Sequence, residues 1–139
     1  MQNRLILASA SPQRKILLEG LGLSFEVIPS DFDEAACTEP DPIKRADELA
    51  VLKAKDIATK HPSAWVIGCD TLVVAPDGTL LEKPTDAADA ERMIRLQSGG
   101  TSLVHSGICL VAPGGKELHE VSTSLVKFHT LTDADVAWW

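Results

Sequence analysis

The sequence predicts an α/β fold in which a mixed β-sheet is flanked by helices. Over residues 4–97, short apolar segments alternate with segments of helical periodicity. Two long strand candidates then follow, joined by the turn sequence Pro113-Gly114-Gly115. The 139 residues are enough for one hydrophobic core but too few for two. We therefore expect a single domain whose strands first alternate with helices and then pair as a hairpin.

The first predicted strand covers residues 4–8 and leads into a helix. Ser11 is a suitable N-cap, and Pro12 suits the first helical position, where a backbone N–H is not needed. Gly20 or Gly22 ends this helix, because glycine is favoured just beyond a helix C-terminus.

A second strand, a loop and a long helix are predicted next. The strand covers residues 24–28, and residues 29–42 are rich in proline and acidic residues, which is typical of a loop. Residues 42–60 are predicted to be helical because small and apolar residues recur there at helical spacing. The residues with this spacing are Ile43, Ala46, Leu49, Ala50, Ala54 and Ile57, with Lys53 among them.

The next predicted strand covers residues 64–69, and residues 71–75 continue it after Asp70. A turn at residues 76–79 follows. Asp86 is expected to cap a helix that reaches about Gln97.

The end of the chain is predicted to be a hairpin followed by a short helix. Its strands cover residues 102–112 and 117–129, and Thr132 with Asp135 resembles a capping box. The two tryptophans that close the sequence have no predicted partner. We therefore expect a single domain, residues 1–139, that is truncated at its C-terminus.

The composition of the chain argues against two classes of partner and indicates a cellular compartment. The formal net charge of −7 argues against a nucleic-acid polymer as partner, because such binding needs a broad basic face. No apolar stretch approaches the ~20 residues that span a bilayer, so no membrane partner is expected. The cysteines Cys37, Cys69 and Cys109 are widely spaced and form no CxxC pair, which favours a reducing compartment, the cytoplasm.

Arg14 and Lys15 lie in the first turn of a predicted helix, where the helix dipole disfavours cations. One interpretation is that both simply face solvent and that Ser9 and Ser11 form a loop and a cap. The other is an oxyanion or phosphate site, because free backbone N–H groups at a helix N-terminus attract an anion. The residues alone leave both interpretations open.

Asp70 interrupts an apolar run that should be buried. An isolated buried carboxylate is costly, so it needs a partner, a metal or the mouth of a cleft. A strand-end bulge or a satisfied core aspartate is the structural alternative. We favour a functional role, because active-site residues of α/β sheets gather at strand ends.

Further candidates are weaker on their own. Asp33-Glu34 supplies two acids on a loop, Lys53 lies on the apolar side of its helix, and Lys83-Pro84 fixes a lysine on a stiff loop. The histidines show no metal-ligand spacing and are expected to be structural or exposed. Together, the acids and cations are those needed to bind a metal-complexed polyphosphate and attack it with water.

Six short motifs in order resemble the Maf proteins (septum-formation inhibitor Maf), a family of nucleoside triphosphate pyrophosphatases. These motifs are Leu7-Ala8-Ser9-Ala10-Ser11-Pro12-Gln13-Arg14, Asp33-Glu34, Leu49-Ala50 with Lys53-Ala54, Val66-Ile67-Gly68-Cys69-Asp70-Thr71, Lys83-Pro84 and Leu96-Gln97-Ser98-Gly99. The resemblance implies an elongated mixed α/β fold related to the inosine-triphosphate pyrophosphatases. It also implies hydrolysis of a nucleoside triphosphate, such as dTTP, UTP or a modified nucleotide, to the monophosphate and diphosphate, as house-cleaning of the nucleotide pool.

The resemblance assigns roles to individual residues. Asp70 corresponds to the proton acceptor that activates water, and Glu34 to an acidic position linked, with Asp70, to a divalent metal such as Mg²⁺ or Mn²⁺. The positions that correspond to the phosphate site are Ser9, Arg14, Lys53 and Lys83. Those that influence base choice are Gln13 and Thr71.

The sequence departs from the family pattern in places. Many relatives carry arginine at the position of Gln13, and alanine or serine is usual at that of Cys69. Thr71 matches the dTTP/UTP branch, whereas the branch that prefers 7-methyl-GTP carries glutamine there. Family members continue beyond the last predicted helix into a segment with Ala-Gly-x-Tyr and Gln-Gly motifs. Without it, we expect a chain of low activity that associates, with a homodimer as one form.

Two function classes follow. The first is a metal-dependent nucleoside triphosphate pyrophosphatase. The second is a non-catalytic nucleotide-binding regulator of cell division that keeps the fold. Asp70, Lys53 and Lys83 favour the first, and diphosphate release separates the two.

Overall fold

Six strands and four helices follow one another in a computed structural model that describes residues 3–139. The chain divides into two units. The first contains the residues up to Asp70 together with Ser106–Val121, and the second contains Thr71–His105 and Ser122–Trp139. The sheet order is β2-β1-β3-β5-β6, with β4 paired to β3.

In the first unit, β1 (Leu5–Leu7) lies between β2 (Glu26–Val27) and β3 (Trp65–Val74), and it is parallel to both. Ile6 faces Glu26 in one pairing and Val66 in the other. The predicted strand at residues 24–28 is therefore present but shortened to two residues.

Both α-helices of the first unit begin with a proline that follows an N-cap residue. In α1 (Pro12–Gly20), the N-cap Ser11 accepts a hydrogen bond from the backbone N–H of Arg14, as predicted. The long helix α2 (Pro42–Lys60) matches its predicted bounds, and its N-cap Asp41 accepts from two backbone N–H groups.

The core of the first unit lies between α2 and the sheet. Small side chains of α2, among them Ala50 and Ala54, are fully buried against larger ones from the strands. The larger buried side chains of this core include Ile6, Ile57, Val66, Cys109 and Val111. Alanines on the buried face of a helix let its backbone approach the sheet closely, which matters for the site described below.

In the second unit, β4 (Leu80–Leu81) pairs antiparallel with the end of β3 and was not predicted, because two residues carry no periodicity. The helix α3 (Ala87–Gln97) begins at its predicted cap Asp86. The predicted capping box of Thr132 and Asp135 opens α4 (Asp133–Trp138).

The hairpin strands β5 (Thr101–Val111) and β6 (Glu117–Lys127) confirm their prediction closely. Parallel pairing of β1 and antiparallel pairing of β4 make the sheet mixed, as expected. All three cysteines are free thiols. Among the described residues, no helix is long and apolar enough to cross a membrane.

Candidate active site

The site begins where α2 touches β3 at Gly68. A Cβ atom on Gly68 would lie 2.5 Å from the carbonyl oxygen of Ala50 and 2.7 Å from Cβ of Ala54. Only a residue without a side chain allows α2 to lie this close to the strand. Sequence reasoning did not single out this glycine for packing, although an isolated glycine inside a strand pattern indicates close backbone approach.

This close approach brings a lysine of α2 to an aspartate of β3. Lys53, the neighbour of Ala54, places its Nζ 2.7 Å from Oδ1 of Asp70. The same Nζ lies 2.8 Å from Oε1 of Glu34. One ammonium group therefore joins two carboxylates that are 36 positions apart in the sequence (70 − 34).

Asp70 is the most buried member of this group, at 4 % exposure. It occupies the buried face of β3, two residues beyond Gly68, because successive side chains of a strand alternate between faces. β3 continues through Asp70, which agrees with the predicted strand segments at residues 64–69 and 71–75, and pairing with Lys53 compensates the buried charge.

The two oxygens of the Asp70 carboxylate have different surroundings. Oδ1 accepts from Lys53, whereas Oδ2 is buried and has no hydrogen-bond partner. A buried carboxylate oxygen without a partner is costly, which is a feature of sites that complete their hydrogen bonds with a ligand or water.

Lys53 remains a cation in this setting. Burial by itself lowers the pKa of a lysine, but the hydrogen bonds to Asp70 and Glu34 outweigh it, and the pKa of Lys53 is raised above its usual value. Lys53 is therefore a fixed positive charge and not a proton acceptor at neutral pH.

Glu34 reaches Lys53 from a loop. It opens a 3-10 helix, Glu34–Ala36, whose N-cap Asp33 accepts a hydrogen bond from the backbone N–H of Ala35. The side chain of Glu34 is 52 % exposed. Of the predicted acidic pair, Asp33 thus shapes the loop and Glu34 joins the site.

A second polar contact follows β1. The hydroxyl of buried Ser9 accepts from the backbone N–H of Ser11 at 3.2 Å and from Nη1 of Arg14 at 2.9 Å. Arg14 therefore folds back across the turn before α1 and does not simply extend into solvent. The neighbouring Gln13 is exposed, and its Oε1 accepts from the hydroxyl of Ser11.

The remaining candidates lie around or beyond these contacts. Cys69 is half-buried next to Asp70, and burial raises the pKa of its thiol. Thr71 is an exposed residue of β3 in the second unit. Lys83 is exposed on the segment after β4, also in the second unit. The structure thus brings together Lys53, Asp70 and Glu34, and separately Ser9 and Arg14.

The donor set fits a divalent cation carried by a substrate. No group of three His, Cys, Asp or Glu side chains that could hold a metal is found in residues 3–139. Mg²⁺, however, is commonly held by one or two carboxylates together with substrate phosphates. Glu34 and the unpartnered Oδ2 of Asp70 are hard oxygen donors of this kind.

Comparison with known proteins identifies the family. The profile of the family described as Maf-like protein matches residues 4–139. A dTTP/UTP pyrophosphatase of Deinococcus radiodurans is 46 % identical over 136 residues, which are 98 % of this chain and 68 % of the relative. A dTTP/UTP pyrophosphatase of Koribacter versatilis is 45 % identical over 133 residues, with 96 % of this chain and 68 % of the relative covered.

Solved structures agree on the fold. The Staphylococcus aureus Ham1 protein matches with a TM-score of 0.61 at 15 % identity, over 90 % of this chain and 71 % of that one. A nucleoside-triphosphatase (dITP/XTP pyrophosphatase) of Mycobacterium abscessus matches with a TM-score of 0.59 at 14 % identity, over 89 % and 73 % of the two chains. With relatives this similar in sequence and a profile match over nearly its whole length, the chain belongs to the Maf-like protein family.

Proposed function

We propose that this chain hydrolyses a nucleoside triphosphate to the monophosphate and diphosphate, with dTTP and UTP as substrates. The observation that carries the proposal is the Asp70 carboxylate, with one oxygen held by Lys53 and the other buried without a partner. The names of the related pyrophosphatases from Deinococcus radiodurans and Koribacter versatilis support the same reaction class.

In this proposal Asp70 is the general base. Its Oδ2 accepts a proton from a water molecule, whose oxygen bonds to the α-phosphorus. The bond from that phosphorus to the oxygen bridging the α- and β-phosphoryl groups breaks, and the diphosphate leaves. Lys53 holds Oδ1, so the carboxylate is oriented and its charge is compensated before substrate arrives. A positioned base of this kind contributes roughly 10²–10⁴-fold to a rate.

In this proposal, cations bind the triphosphate. Ser9 lies in the turn before α1 and Arg14 in the first turn of α1, where the positive end of the helix dipole also favours an anion. We assign Lys53 to the same task, and Lys83 joins it by its match to the family motif. An anion next to Arg14 would also relieve the unfavourable placement of that cation at the positive end of the helix dipole.

Glu34 and Asp70 are the residues that we propose for a divalent cation, Mg²⁺ or Mn²⁺. When bound, such a cation neutralises charge on the phosphates. Lys53 bridges both carboxylates and keeps them close enough to act as a pair before the cation binds.

Base selection is assigned to Gln13 and Thr71. The exposed amide of Gln13 and the exposed hydroxyl of Thr71 can each donate and accept hydrogen bonds. The match of Thr71 to the dTTP/UTP branch and the names of the related pyrophosphatases support dTTP and UTP over 7-methyl-GTP.

We propose a cytoplasmic location from the state of the cysteines. Three free thiols suit a reducing compartment, which supports the cytoplasm.

The edge strand β6 exposes Leu118 at 61 % and Leu125 at 73 %, and exposed edge strands pair with further chains, which supports a homodimer. Light scattering measures the assembly directly: a monomer at all concentrations would contradict it.

Diphosphate release is the test of the function. The chain is incubated with dTTP, UTP, ATP and 7-methyl-GTP, each with Mg²⁺, with Mn²⁺ and with EDTA. We expect metal-dependent release of diphosphate, fastest with dTTP and UTP. Release of orthophosphate, or nucleotide binding without hydrolysis, would contradict the proposal, and the second result would favour the non-catalytic regulator of cell division.

A further inference from the structure

The loop that carries Glu34 is attached to α2 at both of its ends. We call residues 30–37 the acidic loop. Its first residues contact Asp56, and its last residues contact Arg45. Lys53, which receives Glu34, belongs to the same helix. Neither Arg45 nor Asp56 has a role in the proposed hydrolysis or belongs to a family motif.

The first attachment uses a carboxylate. Oδ2 of Asp56 accepts from the hydroxyl of Ser30 at 2.8 Å and from the backbone N–H of Asp31 at 3.2 Å. The Ser30 hydroxyl also accepts from the backbone N–H of Phe32. Hydrogen bonding to Ser30, followed by that to Lys60, lowers the pKa of Asp56, so its carboxylate is the charged acceptor at neutral pH.

The second attachment uses a guanidinium. Arg45 donates through Nη1 to the carbonyl of Cys37 and through Nη2 to the carbonyl of Glu34 at 3.4 Å. Its Nε is buried and has no partner. Burying a guanidinium nitrogen without a partner is costly. The compensating contacts of Arg45 are with two backbone carbonyls of the loop, one of which belongs to Glu34 itself.

Apolar packing cannot hold this loop. Of residues 30–37, only Cys37 is buried, and most of the others are exposed. The attachments instead come from one side of α2, because positions 45, 53 and 56 lie within about 80° of each other around a helix of ~3.6 residues per turn. A single rigid element therefore holds both ends of the loop and the partner of Glu34.

We propose that Arg45 and Asp56 are positioning residues that hold the acidic loop so that Glu34 stays on Lys53 beside Asp70. This inference rests on the proposed hydrolysis and deepens it, because it assigns the placement of one carboxylate to two residues that do not touch the substrate. A shift of a group by about 1 Å can cost as much as 10²-fold in rate.

The experiment compares paired substitutions on α2. Arg45→Met removes the contacts with the carbonyls, and its control is Lys44→Met, an exposed lysine one position earlier. Asp56→Ala removes the contacts with Ser30 and Asp31. Its control is Asp47→Ala, because the carboxylate of Asp47 contacts His119 of β6 and not the loop.

Two readouts are taken on each variant. The first is kcat/KM for diphosphate release, which we expect to fall by ~10–100-fold in Arg45→Met and less in Asp56→Ala. The controls should change it by less than about twofold. The second is hydrogen exchange of the backbone amides in residues 30–37, which should accelerate in both test variants while the rest of α2 keeps its protection.

A coupling measurement separates positioning from general stability. If Arg45 acts through Glu34, Arg45→Met should lower kcat/KM by less than about twofold in a Glu34→Gln background, because the positioned group is already lost. Arg45→Lys, which keeps one donor group for the carbonyls, should restore part of the activity. An additive loss in the Glu34→Gln background would overturn the proposal.

Unchanged exchange of the loop amides would overturn it as well. This second readout needs no turnover, so it remains informative if the chain releases no diphosphate at all. In that case accelerated exchange in Arg45→Met would support the attachment of the loop, while the proposed hydrolysis alone would fail.

Discussion

Among residues 3–139, one cation lies between two carboxylates in a buried cluster and again in an exposed one. The buried cluster consists of Lys53, Asp70 and Glu34, and the exposed cluster of Arg95, Glu91 and Asp133. The distances are nearly the same: 2.7 and 2.8 Å in the buried cluster, and 2.9 Å for both pairs in the exposed one. The surroundings differ, because the Lys53 side chain is 14 % exposed and that of Arg95 is 45 % exposed.

This difference shows that distance does not decide what a charge cluster does. Water and salt screen the exposed cluster, and Asp133 at 92 % exposure loses little when its partner moves. In the buried cluster, Asp70 at 6 % side-chain exposure has Lys53 as its counter-charge, and its second oxygen is buried without a hydrogen-bond partner. The same arrangement of one cation and two carboxylates is therefore weak on the surface, whereas in the buried cluster it leaves one carboxylate oxygen for the reaction proposed above.

The largest expected effect is on turnover. Asp70→Asn removes the proposed proton acceptor and should lower kcat by roughly 10²–10⁴-fold. Asp133→Asn removes the corresponding acid of the exposed cluster and should leave kcat unchanged. Diphosphate release with dTTP measures both. Near-normal turnover in Asp70→Asn would show that Asp70 is not the base.

The next effect is on stability. Lys53→Met leaves Asp70 buried without its counter-charge and should lower the free energy of unfolding by about 3 kcal/mol, the lower end for breaking a buried pair, since Glu34 is half in water. Arg95→Met, the matched change in the exposed cluster, should give no resolvable loss. Urea denaturation tests this pair, and equal losses would remove the distinction between the clusters.

A smaller loss of stability is expected when α2 is pushed away from β3. Gly68→Ala places a Cβ against backbone atoms of α2 and should destabilise the protein by about 1–3 kcal/mol. The control is Gly20→Ala, where a Cβ would meet nothing within 4 Å. If Gly68→Ala is no less stable than Gly20→Ala, close approach is not what joins Lys53 to Asp70.

The smallest expected effect is that the contribution of Lys53 to the free energy of unfolding changes with pH in the alkaline range. Because the folded pKa of Lys53 is raised above its usual 10.5, its pairing stabilises the protein fully below that pH and is lost as the pH rises through the folded pKa. The difference in unfolding free energy between wild type and Lys53→Met should therefore be constant near neutrality and shrink only above about pH 10.5. A difference that already shrinks near pH 8 would contradict the raised pKa.

Local signals in the sequence predicted most of the secondary structure. Ser11, Asp86 and Thr132 cap the helices that they were expected to cap. These elements depend on hydrogen bonds between residues two to four positions apart, which a short window contains. The two-residue strand β4 has no such local signal and was not predicted.

The candidate site was predicted as a set of residues but not as an arrangement. Asp70, Lys53 and Glu34 stood out because each charge is conspicuous in its segment or matches a family motif. Nothing local indicates that Lys53 joins both acids. Arg45 and Asp56 gave no signal at all, since charged residues on a helix are ordinarily solvated.

The sequence by itself determined the alternation of strands and helices, the caps, and which acids and cations this protein has for its chemistry. The tertiary structure alone decided which of them meet. Lys53 reaches Asp70 because α2 lies against Gly68, and Glu34 reaches Lys53 because the acidic loop is attached to the same helix. The physical reason is range: propensities and caps act over a few residues, whereas an ion pair requires that the whole core first bring distant segments within 3 Å.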